Sequence, residues 1–337
     1  MRLGVLDVGS NSAQLLVVDV IPGGPPLPAY AIKRPTLLGA SFEPDGSIDC
    51  DGVRRVVDAV CGAMQEARRC DVEQLYAFGT SALRDATNRD QVVARIEEEA
   101  GIRPQFLSGE DEARLTYLAV HHWFGWSAGR LLVLDIGGGS MEIVLGTGAQ
   151  PSLAVSLPLG AGRLTRSFLP DDPPTRKQVR RLRGHVLDQL HEVADRLRWE
   201  GEPTRAVATS KTFKQLARLA GAPPQRQGPF VRRGLAMADL DAWIPRLADA
   251  SAAERARWRG VSKGRSPQIL AGAVVARAAM NLLGVATVDV CPWALREGVV
   301  LCHSAWDERA CLPLAPISPP VALADVCDIR QLVGGNR

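Results

Sequence analysis

The sequence predicts an α/β protein made of two related domains with a cleft between them. A pair of matching segments is the main observation behind this. GVLDVGSNSAQLLVV at 4–18 and LLVLDIGGGSMEIVL at 131–145 each run an apolar stretch into an aspartate. Each then turns through glycine and hydroxyl residues and leaves by a second apolar stretch, the pattern of a hairpin with a small-residue turn. One such turn says little, but two in one chain imply a duplicated unit whose turns face each other across a cleft. Strand and helix patterns also alternate through both halves. Finally, 337 residues with 46% apolar content suffice for two domains with a core each.

In order, the first hairpin covers about 2–20, a Pro/Gly turn fills 22–28, and an extended stretch follows at 29–38. An amphipathic helix is expected at 52–69 and a strand at 74–78. Helices at 88–100 and 110–124 flank a short strand at 103–107. The glycine-punctuated segment WFGWSAG at 123–129 reads as a hinge, so the first domain is placed at 1–125. The second domain, 126–310, repeats the order: a hairpin, a strand at 150–157, a long basic helix at 175–198 and a strand at 205–208. Helices at 211–220, 237–248 and 267–283, a strand at 287–290 and a helix at 295–303 complete it. The tail, 311–337, is proline-rich and irregular.

Composition excludes several classes. No stretch approaches a membrane span and no basic leader precedes the first strand, so a cytoplasmic location and no membrane partner are expected. Seven cysteines without a C-x-x-C pair argue against a disulfide framework or a zinc site. Five scattered histidines leave acid–base chemistry to carboxylates. The net charge of +3 hides an asymmetry: residues 159–265 hold 22 Lys/Arg against 11 Asp/Glu, and the rest of the chain 18 against 26. A field polarised in this way favours an anionic partner on one face.

Turns such as Gly9-Ser10-Asn11-Ser12 and Gly137-Gly138-Gly139-Ser140 let backbone N–H groups converge on a phosphate oxygen. The aspartates before them would repel a bare phosphate, which makes sense if Asp7, Asp135 and Glu142 hold a hydrated Mg²⁺, or Mn²⁺ in its place. Asp and Gly are also ordinary hairpin residues, a reading that weakens once both loops are taken together. At 108–113 the segment SGEDEA opens a helix. Ser108 as N-cap and the helix dipole account for Glu110 and Asp111. Glu112 is less well explained by capping and can instead activate water at a terminal phosphorus. Arg84, at the end of GTSALR (79–84), can grip phosphate or simply pair with Asp85 or Asp90. The hydroxyls and lysines of 209–212 read equally as a third anion contact or an N-cap. Arg163, Arg166, Arg176, Lys177, Arg180 and Lys211 form a candidate polyanion track, or a solvated face. No aromatics interleave with them to stack bases, so a phosphate polymer fits better than nucleic acid.

These segments together resemble the exopolyphosphatase and guanosine pentaphosphate phosphohydrolase family, within the actin-like and hexokinase-like ATPase superfamily with its duplicated ribonuclease H-like fold. The carriers are DVGSNS (7–12), GTSALR (79–84), SGEDEA (108–113), DIGGGS (135–140) with Glu142, LGAGRLT (159–165) and ALREG (294–298). The resemblance implies Glu112 as catalytic base, phosphates on Arg84 and the two loops, and Mg²⁺ near Asp7, Asp135 and Glu142. It implies an exopolyphosphatase releasing orthophosphate from inorganic polyphosphate. The chain departs from relatives at Ser210-Lys211-Thr212, where a Gly-Thr pair is usual, and lacks the His-Asp motifs of an added helical domain. That short form points to shorter chains. Alternatives remain open: guanosine pentaphosphate as substrate, guanosine tetraphosphate as substrate or inhibitor, a kinase or ATP-driven switch, or a non-catalytic sensor. A homodimer is expected, with two basic helices joined into a longer track.

Overall fold

The computed structural model describes residues 1–304 and 313–318. The first hairpin pairs β1 (Arg2–Val8) with β2 (Ser12–Asp19), and β3 (Tyr30–Pro35) continues it antiparallel. Helix α1 (Cys50–Arg69) returns the chain to β4 (Gln74–Gly79), which lies parallel to β1. A single turn, α2 (Ser81–Arg84), then α3 (Arg89–Ala100) and β5 (Gln105–Phe106), complete a sheet of order β3-β2-β1-β4-β5. Helix α4 (Gly109–Phe124) leads through the short turn at Trp126–Ala128 to β6 (Leu131–Ile136). There β7 (Met141–Gly146), β8 (Leu153–Leu157), α5 (Ala161–Phe168), α6 (Arg176–Glu200), β9 (Arg205–Ala208) and α7 (Ser210–Leu219) follow. The remainder is β10 (Gly234–Ala236), α8 (Met237–Asp249), α9 (Ala252–Arg255), α10 (Ile269–Leu282), β11 (Thr287–Val290) and α11 (Leu295–Ser304).

The second sheet has the order β10-β11-β9-β6-β7-β8. Leaving aside the edge strand β10, β8-β7-β6-β9-β11 repeats β3-β2-β1-β4-β5, with β7 antiparallel to β6 as β2 is to β1. The duplication expected from the paired loops is therefore present strand for strand, as the ribonuclease H-like fold implied by the resemblance requires.

Both sheets are covered on both faces, which is why their strands are apolar at nearly every position. In β1, Leu6 and Val8 face α1 and α3, while Leu3 and Val5 face α11. All four are fully buried, each contributing roughly 1.5–3 kcal/mol. In the second domain Leu132, Leu134 and Ile136 face α5, α6, α7 and α10, while Leu131 and Val133 face α4. The molecule is layered as helices, sheet, the α4–α11 pair, sheet, helices.

That middle layer is shared between the two sheets. Helix α4, assigned to the first domain, packs on β7 and β8 of the second, and α11, assigned to the second, packs on β1. Helix α4 is apolar on two sides, Leu115 facing the first sheet while Ala113 and Tyr117 face the second. Chain order alone cannot reveal which sheet such a helix covers. Strand β3 also ends earlier than expected, because Leu37 adopts φ 49 and turns the chain. Helix α5 was not anticipated as an element. Of the expected irregular tail, residues 313–318 are described: Ile317 forms a two-way backbone bridge with Leu75, and Leu314 is buried. The rest of the tail lies outside the described residues. Among the described residues no disulfide joins the cysteines and no helix is long and apolar enough to cross a membrane.

Candidate active site

The two loops are closed by the same hydrogen bond. Gly9 N–H donates to Ser12 O at 3.1 Å, and Gly137 N–H donates to Ser140 O at 2.9 Å. They also meet across the domains: a Cβ at Gly138 would collide with Ser10 Oγ, so only glycine permits this approach. Gln268 Nε2 donates to Asn11 Oδ1 at 2.8 Å, tying the segment before α10 to the first loop. In the hairpin registers Asp7 lies opposite Gln14, whereas Asp135 lies opposite Glu142. The duplication thus puts two carboxylates face to face in one domain and one in the other.

Helix α4 delivers Glu112. Ser108 caps the helix by accepting the Asp111 N–H at 3.1 Å, and exposed Glu110 pairs with Arg114, so two of the three acidic residues serve the helix end. Glu112 turns inward and is only 7% exposed. Arg84 Nη1 donates to its Oε1 at 2.6 Å and to Leu107 O at 2.8 Å, while Arg84 Nε donates to Asp85 at 3.2 Å. The pairing with Asp85 foreseen from sequence therefore exists alongside the one with Glu112, and Asp90 is held by Arg89. Burial first, and the neighbouring Glu142 charge second, hold Glu112 well above the usual carboxylate range, with Arg84 opposing.

Around Glu112 lies a cleft of about 220 Å³ that includes both loops, Thr80, Ser81, Ser210 and Lys211. Asp7, Asp135 and Glu142 line it; Glu142 is buried and the two aspartates are half-buried. Burial raises Asp7 and Asp135 to about 6 and, with the Asp135 charge, Glu142 to about 7. Ser156 Oγ donates to Glu142 at 2.9 Å and Thr209 Oγ1 to Asp135 at 3.3 Å. Asp7 Oδ1 is buried with no hydrogen-bond partner among the described residues. That orphaned oxygen and the opposed Asp135–Glu142 pair suit a cation. Among the described residues no three His, Cys, Asp or Glu are close enough to cage one. The set fits Mg²⁺, which typically takes one or two carboxylates and fills its remaining positions with water and phosphate oxygens.

Four further cations line the same cleft and were not singled out in the sequence: Lys33, Lys214, Arg265 and Arg296. Arg296 sits inside the ALREG segment, the one available signal; Lys33 comes from β3, Lys214 from α7 and Arg265 from the turn before α10. Burial lowers the pKa of Lys33, Lys211, Lys214 and Arg265. Among the described residues none of these cations forms an ion pair with a carboxylate. Lys33 and Lys211 are exposed at the mouth while Lys214 and Arg265 are half-buried deeper in, so the cleft presents cations to an anion entering from solvent. Ser210 contributes a strained backbone at φ 70, with its N–H bonded to Thr209 Oγ1, so Thr209 is the N-cap of α7 and Ser210 a wall of the cleft.

The expected polyanion track divides. Lys211 lines the cleft, and Arg163 and Arg166 lie behind the loops on α5. Arg176, Lys177 and Arg180 are exposed on the first turns of α6 and line neither cavity.

Fold and cleft define a class: a duplicated ribonuclease H-like protein whose interdomain cleft gathers carboxylates beside lysines and arginines. The model of the Ppx/GppA phosphatase family matches residues 17–304. Exopolyphosphatase 1 of Mycobacterium tuberculosis is 48% identical over 301 residues, covering 89% of this chain and 88% of that protein. An uncharacterised protein of Streptomyces coelicolor is 46% identical over 338 residues, covering 96% and 99%. A Ppx/GppA family member from Aquifex aeolicus superposes with a TM-score of 0.72 at 27% identity, covering 90% of this chain and 97% of that one. An exopolyphosphatase from Cytophaga hutchinsonii superposes at 0.82 with 23% identity, covering 90% and 98%, and bears on the fold alone. The chain belongs to the Ppx/GppA phosphatase family.

Proposed function

We propose that this chain is an exopolyphosphatase that hydrolyses the terminal phosphoanhydride of inorganic polyphosphate and releases orthophosphate. The observation that carries this is Glu112, a buried carboxylate of raised pKa held by Arg84 in a cleft of unpaired cations. The near-half identity to proteins named exopolyphosphatase, over most of both chains, supports the same reading.

In this mechanism Glu112 accepts a proton from a water whose oxygen attacks the terminal phosphorus. The bridging P–O bond breaks and the shortened chain leaves with the bonding electrons on its new terminal oxygen. Lys211, Lys214 and Arg265 offset that charge, and the proton on Glu112 passes to the orthophosphate or solvent. Loop N–H groups of residues 10–12 and 138–140 hold the reacting phosphoryl oxygens, those of Gly9 and Gly137 closing the loops, with Arg84 positioning Glu112. Asp7, Asp135 and Glu142 would hold Mg²⁺, which when bound neutralises phosphate charge and polarises the phosphoryl group. Exposure of the α6 arginines away from the cleft favours short chains, because a long grip would need a second basic surface in line with it.

The test is a time course of phosphate release from polyphosphates of defined length, run beside guanosine pentaphosphate with and without Mg²⁺. Stepwise loss of single phosphates from the polymer is expected, and a clear preference for the nucleotide would overturn the substrate assignment. Glu112→Gln should lower kcat by about 10²–10⁴ with thermal unfolding unchanged. Full activity in that variant removes Glu112 from the chemistry.

A further inference from the structure

Behind the two loops lies a second cavity, of about 130 Å³. Ser10, Ser81 and Gly138 line both cavities, so the loops are a shared wall. The chemistry differs on its two faces. The cleft side carries the four carboxylates and the lysines, whereas the rear side carries Arg163, Arg166, Asp85, Phe42 and Gln268.

Two guanidinium groups against one carboxylate leave the rear cavity with surplus positive charge. Arg163 Nη2 pairs with Asp85, and Arg163 Nε donates to Gly139 O at 2.9 Å. Arg166 has no carboxylate partner among the described residues; it lies 4.4 Å over the Phe42 ring and donates to Gly39 O at 3.3 Å. Arg166 is exposed on one side, and partial desolvation with the Arg163 charge lowers its pKa. Both arginines stand on α5 of the second domain, and Asp85, Phe42 and Gly39 belong to the first. Their contacts therefore close the rear cavity across the domain gap, and breaking them opens it.

Asp85 is shared between two networks. Its Oδ1 accepts from Arg84 Nε at 3.2 Å while its Oδ2 pairs with Arg163. Arg84 holds Glu112, so a chain of charge, Arg163–Asp85–Arg84–Glu112, runs from the rear cavity to the base.

We propose that the rear cavity is an orthophosphate site, the port by which the hydrolysed terminal phosphate leaves on the side of the loops opposite the remaining chain. Its small volume and its two guanidinium groups suit a single small anion. With the retained chain on the lysine side of the cleft, a product that crosses when the Ser10–Gly138 contact parts does not have to pass it. Orthophosphate at Arg166 also competes with Asp85 for Arg163. This inference rests on the hydrolase reading above for the source of the phosphate, and on the cavity alone for the site.

Two measurements test it: inhibition of polyphosphate hydrolysis by added inorganic phosphate, and equilibrium dialysis of inorganic phosphate against the full chain. A charge-assisted contact is typically worth about 10–100-fold in affinity. Arg166→Gln should raise the phosphate inhibition constant by about tenfold or more, with KM for polyphosphate moving by about twofold at most. Asp85→Asn should act in the opposite sense and lower that constant, because it frees Arg163. A parallel rise of KM and inhibition constant in Arg166→Gln puts Arg166 on the substrate path and overturns the port, as does unchanged inhibition in both variants. If Arg166→Gln fails to fold, the sign of the Asp85→Asn effect decides. Dialysis needs no turnover: loss of one bound equivalent in Arg166→Gln upholds the site, whereas a wild-type chain that releases nothing from polyphosphate defeats only the hydrolase reading.

Discussion

Three acidic residues in a row open α4, and only Glu112 is turned inward, which makes its protonation the natural control on activity. A carboxylate serves as base only when ionised. Glu112 lies well above the ordinary glutamate value of about 4.3, so activity should be lost as pH falls through its raised pKa, at a higher pH than an exposed glutamate would give. Arg84 pulls in the opposite direction. Arg84→Met should therefore move the acid limb of kcat/KM to higher pH, and a limb that stays in place would show that Arg84 does not tune the base. Ser210 is the other residue whose geometry is costly: a serine at φ 70 sits where glycine is at ease. Ser210→Gly should stabilise the chain by about 1 kcal/mol in thermal unfolding, part of the relieved strain being offset by glycine's entropy. A rise in KM beside that gain would show that the hydroxyl meets substrate.

The element that sets the site is the α4–α11 pair. A Cβ at Gly298 would run into the Leu115 carbonyl oxygen, so the two helices pack backbone against backbone three residues from Glu112 along α4. Gly298→Val should cost about 1–3 kcal/mol from overpacking and lower kcat, because the shift is transmitted to Glu112, the proposed base. Normal activity in a folded Gly298→Val protein would mean that the helix pair adapts without moving the base. On the outer side, α6 buries Leu182, Val186 and Leu190 as one stripe and leaves its arginines in water, so its charge run serves the surface of the second domain.

Taken whole, the molecule is held in a closed arrangement by contacts between its domains. Ser10 meets Gly138, Gln268 bonds to Asn11, and Arg163 pairs with Asp85. Gly138→Ala should hold the domains apart, raising KM for polyphosphate and the radius of gyration measured by X-ray scattering; an unchanged radius with unchanged KM would show that the loops need not meet. The unpaired cleft cations also attract a polyanion from solution. KM should climb as monovalent salt is raised from about 0.01 M to 0.15 M, where the screening length shortens from about 30 Å to about 8 Å.

The duplication, the two Gly-rich turns and the apolar strands were legible in the chain because they are local: hairpin periodicity, turn residues and helix caps are written within a few positions of one another. Glu112 could be singled out because capping accounts for Glu110 and Asp111 and leaves it over. What the sequence by itself determined was thus the fold class, the loops and a short list of acids. The tertiary structure alone decided which sheet α4 covers, since a helix apolar on two sides is ambiguous until both neighbours are present. It also gathered Lys33, Lys214 and Arg265 around those acids and turned Arg163 and Arg166 to the rear of the loops. Isolated basic residues carry no local signal, and their meaning comes from the charges that folding places beside them.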